Sequence, residues 1–251
     1  MPQNKSYFQK ADMYDYLSNC YKYTDPNKYI TYYKKHLKYR QLAEQSISET
    51  RLPEQNGVYK PALIRLIHAS IDASEVDIYV NSIRVLKAFP YKEVSTYLPL
   101  PAGKYQIDIY PAGNMVSTVL SRKVVIEDGK VYSLIFSGQA KNLKWLAVEG
   151  QLFVPRGEAK LRFIHLSNDT PTVDIAVKDR DVIFSNVSYR KATSYLGLSP
   201  MNIDLEVRIA GSHNIALPMP EVQLEMNNIY TILLIGSLTD GSELEALMTL
   251  G

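Results

Sequence analysis

The sequence predicts a mainly β protein in which two tandem antiparallel β-sandwiches follow an N-terminal α-helical hairpin. Three observations predict it. First, Leu63-Ile-Arg-Leu-Ile-His-Ala-Ser-Ile-Asp-Ala-Ser-Glu-Val-Asp-Ile-Tyr-Val80 returns as Leu161-Arg-Phe-Ile-His-Leu-Ser-Asn-Asp-Thr-Pro-Thr-Val-Asp-Ile-Ala-Val177. His68, Asp72 and Asp77 thereby recur 97 positions on as His165, Asp169 and Asp174. Second, short apolar runs separated by turn residues fill the chain from residue 61 onward, as in a sandwich. Third, residues 1–57 place tyrosines and aliphatic residues at helical rather than strand spacing. The expected organisation is a Tyr-rich helical hairpin and linker at 1–57, one sandwich at 58–154 and a second at 155–251.

In the N-terminal segment, Tyr7, Ala11, Tyr14 and Tyr21 share one stripe, and Phe8, Met13, Tyr16 and Leu17 an adjoining one. Thr24-Asp25-Pro26 is a stop and restart, because Asp25 can cap a helix and Pro26 suits its first position. The second helix is expected to reach about Ser48, with Ile30, Tyr33 and Leu37 on one stripe and Tyr32, Tyr39, Ala43 and Ile47 on another. Two apolar stripes per helix call for packing on more than one surface. Tyrosine suits that use, since its ring is buried while its hydroxyl stays wet. Protein partners, with homo-oligomerisation through these helices, are therefore expected. The interspersed Lys22, Lys28, Lys34, Lys35 and Lys38 also fit RNA or a membrane surface, a weaker reading. Residues 50–60 read as a linker.

In the first copy the expected strands are Leu63–His68, Val76–Val80, Arg84–Ala88, Val94–Leu98, Tyr105–Tyr110, Val119–Ile126, Val131–Ser137 and Leu143–Val148. The second copy keeps step: Tyr91, Tyr97, Gly113, Tyr132 and Gly138 match Tyr189, Tyr195, Gly211, Tyr230 and Gly236, all 98 apart. The change of offset from 97 to 98 places one inserted residue near Lys178–Asn186, in a surface loop. Tyr132 and Tyr230 each follow a turn, as does the corner tyrosine of immunoglobulin-like sandwiches. Trp145, the only tryptophan, is expected to pack the last strand of the first copy on its core. Leu152 and Phe153, in the connection Gln151–Gly157, predict a buried junction between the copies.

Composition narrows the function. With 46% hydrophobic and 22% charged residues the chain is an ordinary globular protein. A net charge of +2 gives no basic surface for nucleic acid, although residues 1–60 carry ten Lys/Arg against six Asp/Glu. A single cysteine, Cys20, allows neither an intrachain disulfide nor a thiolate metal cluster. No apolar run is long enough to span a membrane as a helix, and the first residues lack a signal peptide's apolar core. A cytoplasmic location is expected on that ground.

Those residues also carry a family resemblance. Ile64-Arg-Leu-Ile-His-Ala-Ser70, Val76-Asp77, the Tyr91 and Tyr97 pair and Pro101-Ala-Gly103 are similar to the bacterial domain of unknown function 4397, here in two tandem copies. The second copy departs in His165-Leu-Ser167 and in Leu198-Ser-Pro-Met201, which replaces the Pro-Ala-Gly turn. The resemblance implies immunoglobulin-like or transthyretin-like β-sandwiches and a bacterial surface setting, and it implies no enzymatic activity. A chain without an export signal could reach a spore surface by assembly from the mother cell.

One ionisable set is repeated: His68, Asp72 and Asp77 with His165, Asp169 and Asp174. One imidazole and two carboxylates could hold a ligand or a divalent cation. A nucleophile could be sought in Ser70 or Ser167, but each lies on the same strand face as its histidine, with the aspartates in the following turn and strand. The competing use is structural, with histidine and aspartates bonding the backbone of the adjoining turn. Beyond these only His36 and His213 remain, so no multi-histidine metal centre is expected, and no catalytic residues and no cofactor. Phosphate-cradling and zinc-hydrolase motifs are absent from the sequence. The expected function is that of a non-enzymatic structural or interaction protein of a bacterial surface assembly. A module binding a glycan or divalent cation through the sandwich loops is the alternative.

Overall fold

The computed structural model describes residues 2–21, 26–48, 60–239 and 243–251. The chain forms two compact units, Met1–Val58 and Tyr59–Gly251. The first holds helices α1 (Pro2–Tyr21) and α2 (Pro26–Ser48). Asp25 and most of the expected linker lie outside the described residues.

The helices are joined by a ladder of rings. Tyr39 lies between Tyr7 and Tyr14, with centroids at 6.4 and 5.4 Å, and Tyr32 lies between Tyr14 and Tyr21, at 6.2 and 5.7 Å. The rungs are seven residues apart on each helix, the spacing that returns a side chain to the same seam. Ala11 and Ala43 are buried and let the backbones approach, and the His36 ring bonds the Ala11 carbonyl oxygen at 3.0 Å. Lys10, Lys28 and Lys35 place their ammonium groups over these rings. The adjoining stripe stays exposed at Phe8, Met13, Tyr16, Tyr33 and Leu37.

The second unit is built of β1 (Ala62–Ala69), β2 (Val76–Val80), β3 (Ile83–Phe89), β4 (Leu98–Leu100), β5 (Gly103–Pro111), β6 (Leu120–Ile126), β7 (Val131–Ser137) and β8 (Lys144–Glu149). The same series repeats as β9 (Ala159–His165), β10 (Val173–Val177), β11 (Val182–Val187), β12 (Leu196–Leu198), β13 (Met201–Ile209), β14 (Ile215–Leu224), β15 (Ile229–Ile235) and β16 (Glu245–Leu250). In the first half, sheet β4-β1-β7-β8 packs on β3-β2-β5-β6; in the second, β12-β9-β15-β16 packs on β11-β10-β13-β14. The protein is thus mainly β, with two sandwich-like halves of identical strand order. The pairs β1–β7 and β9–β15 are parallel, a departure from the all-antiparallel expectation. After β1 the chain crosses to the other sheet as β2 and β3, returns as β4 antiparallel to β1, crosses again as β5 and β6, and comes back as β7 parallel to β1.

Val94–Leu98 is not a regular strand. Only Leu98–Leu100 joins the β1 edge, and Val94 makes an isolated bridge to Ile67. Between them the Ser95 hydroxyl accepts the Leu66 amide at 2.9 Å, so a side chain stands in for the ladder, and Thr193 does the same for Phe163 at 3.0 Å. The inserted residue falls in the β10–β11 turn. Asn81-Ser82 closes the first hairpin with positive φ at both positions (48° and 67°), whereas residues 178–181 make the longer second turn.

Each half has its own core, with Ile64, Ile78, Ile107 and Phe136 in one and Phe163, Ile175, Val207 and Leu234 in the other. A third core joins the halves: Ile67, Ala69 and Ile135 pack against Ile164, Leu166, Leu233 and Ile235. The inner sheets therefore lie back to back and the unit has four β layers. The connection expected to seal this junction does not do so, since Leu152 and Phe153 are 67% and 72% exposed. Sheet faces bury far more area than two linker side chains could, so the connection is left on the surface.

Ile164 is fully buried in this third core, and Ile164→Ala is expected to cost about 2–5 kcal/mol of unfolding free energy. Trp145 lies in the other half, so its fluorescence in guanidinium titrations reads the coupling: its midpoint should fall with the second-half substitution. An unchanged Trp145 midpoint would show that the halves unfold independently.

Candidate functional site

His68 is the penultimate residue of β1 and faces the core of its sandwich, fully buried, with the Phe136 ring at 4.5 Å and the Tyr91 ring at 6.1 Å. Its Nδ1 accepts the Ser70 amide at 3.3 Å, so Nε2 carries the proton and points at the Ser74 carbonyl oxygen at 3.4 Å. His165 repeats the Nε2 contact, on the Pro171 carbonyl oxygen at 3.0 Å, but its Nδ1 has no partner among the described residues. Burial lowers both imidazoles, His68 to about 4.

The aspartates do not gather around their histidines. Asp72 accepts the Ala140 amide at 2.7 Å, beyond β7, and Ser70 donates to the Gly138 carbonyl oxygen of the same connection at 2.6 Å. Asp169 repeats that link more strongly, taking Ser237 Oγ at 2.5 Å, Thr239 Oγ1 at 2.6 Å and the Leu238 and Thr239 amides. Burial opposes the charge of Asp169, yet these hydroxyls and amides hold its carboxyl well below the usual carboxylate range.

Asp77 and Asp174 belong to the outer sheets. Asp77 accepts the Ala88 amide at 2.8 Å and the Gly113 amide at 3.3 Å; Asp174 accepts those of Asn186 at 2.7 Å and Gly211 at 3.0 Å. Ala88 and Asn186 both have positive φ (47° and 54°), at register shifts in the β2–β3 and β10–β11 pairings. Each carboxylate thus satisfies a bulge amide that the ladder leaves free. Burial would raise the Asp77 carboxyl, but the two amides and Arg84 bring it below its ordinary value. The expected bonds to the adjoining turn hold for the histidines. The aspartates instead reach other strands and the loops after β7 and β15, because strand pairing brings those amides closer than the local ones. Among the described residues, no group of three His, Cys, Asp or Glu side chains is placed to hold a metal.

Of the two corner tyrosines, Tyr230 ties its corner, with its hydroxyl accepting the Glu225 amide at 3.0 Å and Asn228 Nδ2 at 3.2 Å. An open groove on the outer sheet of the second half is lined by Lys178, Asp179, Asn202, Asp204, Glu221 and Gln223, among others.

A cluster not singled out in the sequence lies at the junction of the halves. Arg65 and Arg162, 3% and 2% exposed, project from β1 and β9 into the third core. Arg65 Nε donates to Ser133 Oγ at 2.9 Å and its Nη1 to the Leu250 carbonyl oxygen of the other half; Arg162 Nε donates to Thr231 Oγ1 at 3.0 Å and its Nη1 to the Glu149 carbonyl oxygen at 2.8 Å. The guanidiniums lie over the Tyr97 and Tyr195 rings, at 5.2 and 4.6 Å. The exchange is reciprocal elsewhere too. Tyr189 bonds Ser137 Oγ at 3.1 Å across the junction, while Tyr91 faces the Gly236 backbone, and burial with the Glu245 charge pushes its hydroxyl up to about 12. One signal pointed here: an arginine inside an apolar strand run, repeated at the same offset.

The model of the family "Domain of unknown function (DUF4397)" matches residues 62–176, a single copy that covers the first half and ends in β10. No curated protein matches the sequence. Among solved structures, the chain is similar to the CBMbc module (family CBM26) of Eubacterium rectale Amy13K in complex with maltoheptaose, at 8% identity over 76% of this chain and 96% of that one, with a TM-score of 0.24. Candidate cell adhesion proteins of Bacteroides ovatus (13% identity, 78% and 97% covered, TM-score 0.21) and Bacteroides uniformis (9%, 78% and 99%, 0.23) are also similar. At such scores these likenesses decide nothing about the site.

His68 yields a pH prediction. The unfolded chain takes up the imidazole proton near 6.5 and the folded protein only near 4. Its contribution to stability is therefore complete above the unfolded value and is lost as the pH falls towards the folded one. A shift of this size corresponds to about 3 kcal/mol. Urea denaturation from pH 7 to 4 should show that fall, and His68→Gln should make it shallower; an equal slope in the variant would remove His68 as its cause.

Proposed function

We propose that the protein is a non-enzymatic structural and interaction protein, in which two domains of one duplicated fold form a rigid platform and the helical hairpin self-associates. The exposed stripe of the hairpin carries this reading. Its tyrosine seam is used within the hairpin, yet Phe8 (40% exposed), Tyr16 (70%) and Leu37 (47%) remain as a second apolar face, of the kind that marks an interaction surface. The polar set His68, Asp72, Asp77, His165, Asp169 and Asp174 serves to hold strand ends and bulges, because its four carboxylates accept from backbone amides and hydroxyls. The setting we propose is a bacterial surface assembly such as a spore coat, in line with the resemblance of the first half.

Two measurements test this. Tyr16→Asp combined with Leu37→Asp should lower the mass measured by light scattering, and an unchanged mass would remove self-association through the hairpin. A fluorescently tagged chain should concentrate on the surface of spores; a uniform signal within cells, with none on spores, would remove the coat assignment.

A further inference from the structure

We propose that the junction between the two halves binds one small inorganic anion, a halide, between the Arg65 guanidinium of the first half and the Tyr195 hydroxyl of the second. Arg65 and Arg162 bring two positive charges into the third core, and among the described residues no carboxylate pairs with either. Carbonyl oxygens, hydroxyls and ring faces take part of this charge but do not neutralise it. A buried cation without a counter-charge is costly, and buried donors are rarely left without acceptors.

Among the described residues, several buried donors at this junction are left without an acceptor, one from each half among them. Arg65 Nη2 and the Tyr195 hydroxyl are buried and make no hydrogen bond within the protein. They belong to the junction cluster: the Arg162 guanidinium lies over the Tyr195 ring at 4.6 Å, and Arg65 and Arg162 each reach a carbonyl oxygen at the end of the other half's last strand. Arg65 Nη2 and the Tyr195 hydroxyl come from opposite halves and do not bond each other, so an acceptor between them would satisfy both. A water molecule could accept these bonds but brings no charge. A halide accepts from both N–H and O–H, offsets the guanidinium charge and tolerates the apolar wall of Ile67, Ile135, Ile164 and Leu233. Bound there, the ion bridges the halves.

Thermal unfolding of the full-length protein tests this, with chloride or bromide replacing gluconate at constant ionic strength and pH. The wild-type midpoint should rise with halide concentration as expected for a ligand of the folded state alone. Tyr195→Phe removes only the hydroxyl and keeps the ring over Arg162; it should weaken the halide dependence about tenfold, the loss of one charge-assisted hydrogen bond. Arg65→Gln should abolish the dependence, and if that variant does not fold, Tyr195→Phe decides. Equal wild-type midpoints in halide and gluconate would overturn the proposal in favour of water. So would a halide dependence that Tyr195→Phe leaves at its wild-type strength, since the ion would then act elsewhere.

Discussion

The back-to-back contact of the two inner sheets is the constraint on which the rest of the β unit depends. A sandwich needs only one apolar face per sheet, but β1, β7, β9 and β15 are buried on both. Leu66, Leu134 and Phe136 point into one sandwich core, while Ile67 and Ile135, one position along, point at the other half. That demand explains why these strands read as near-continuous apolar runs and the outer strand Gly103–Pro111 alternates. It also explains why an arginine on the second face must be built into a hydrogen-bonded, ring-stacked cluster, since it is buried there.

The junction has the character of an isologous interface made within one chain. Arg65 reaches a carbonyl of β16 and Arg162 the corresponding carbonyl of β8; Tyr189 reaches the end of β7 and Tyr91 the end of β15. A two-fold contact doubles every favourable interaction, so few residue types are needed to specify it. The asymmetries that remain are at the edges. Lys92 pairs with Glu245 at 2.6 Å, whereas Arg190 donates to the Trp145 carbonyl oxygen.

The polar residues that first draw the eye serve the backbone. An aspartate beside a histidine in sequence invites a shared site, but strand geometry sends them apart: β1 lies in an inner sheet and β2 in an outer one. Asp77 and Asp174 meet bulge amides of residues at positive φ, and Asp72 and Asp169 tie the loops after β7 and β15. Conserving ladder hydrogen bonds where a strand bends requires acceptors at those points, and a short carboxylate supplies them.

By itself the sequence determined the element types, the internal repeat, the hairpin seam of Tyr7, Tyr14 and Tyr21, and the site of the inserted residue. All of these follow from periodicity and turn chemistry, which are local. Tertiary structure alone decided the rest. Pairing β1 with β7 in parallel, replacing strand Val94–Leu98 by side-chain bonds from Ser95, and leaving Leu152 and Phe153 exposed depend on which sheet faces meet. So does the fate of the histidine and aspartate set, because the amides that claim those carboxylates lie up to 70 residues away in the chain. The arginine within the apolar run was visible as a letter. Its surroundings came into being only when two copies of the same strand were laid face to face.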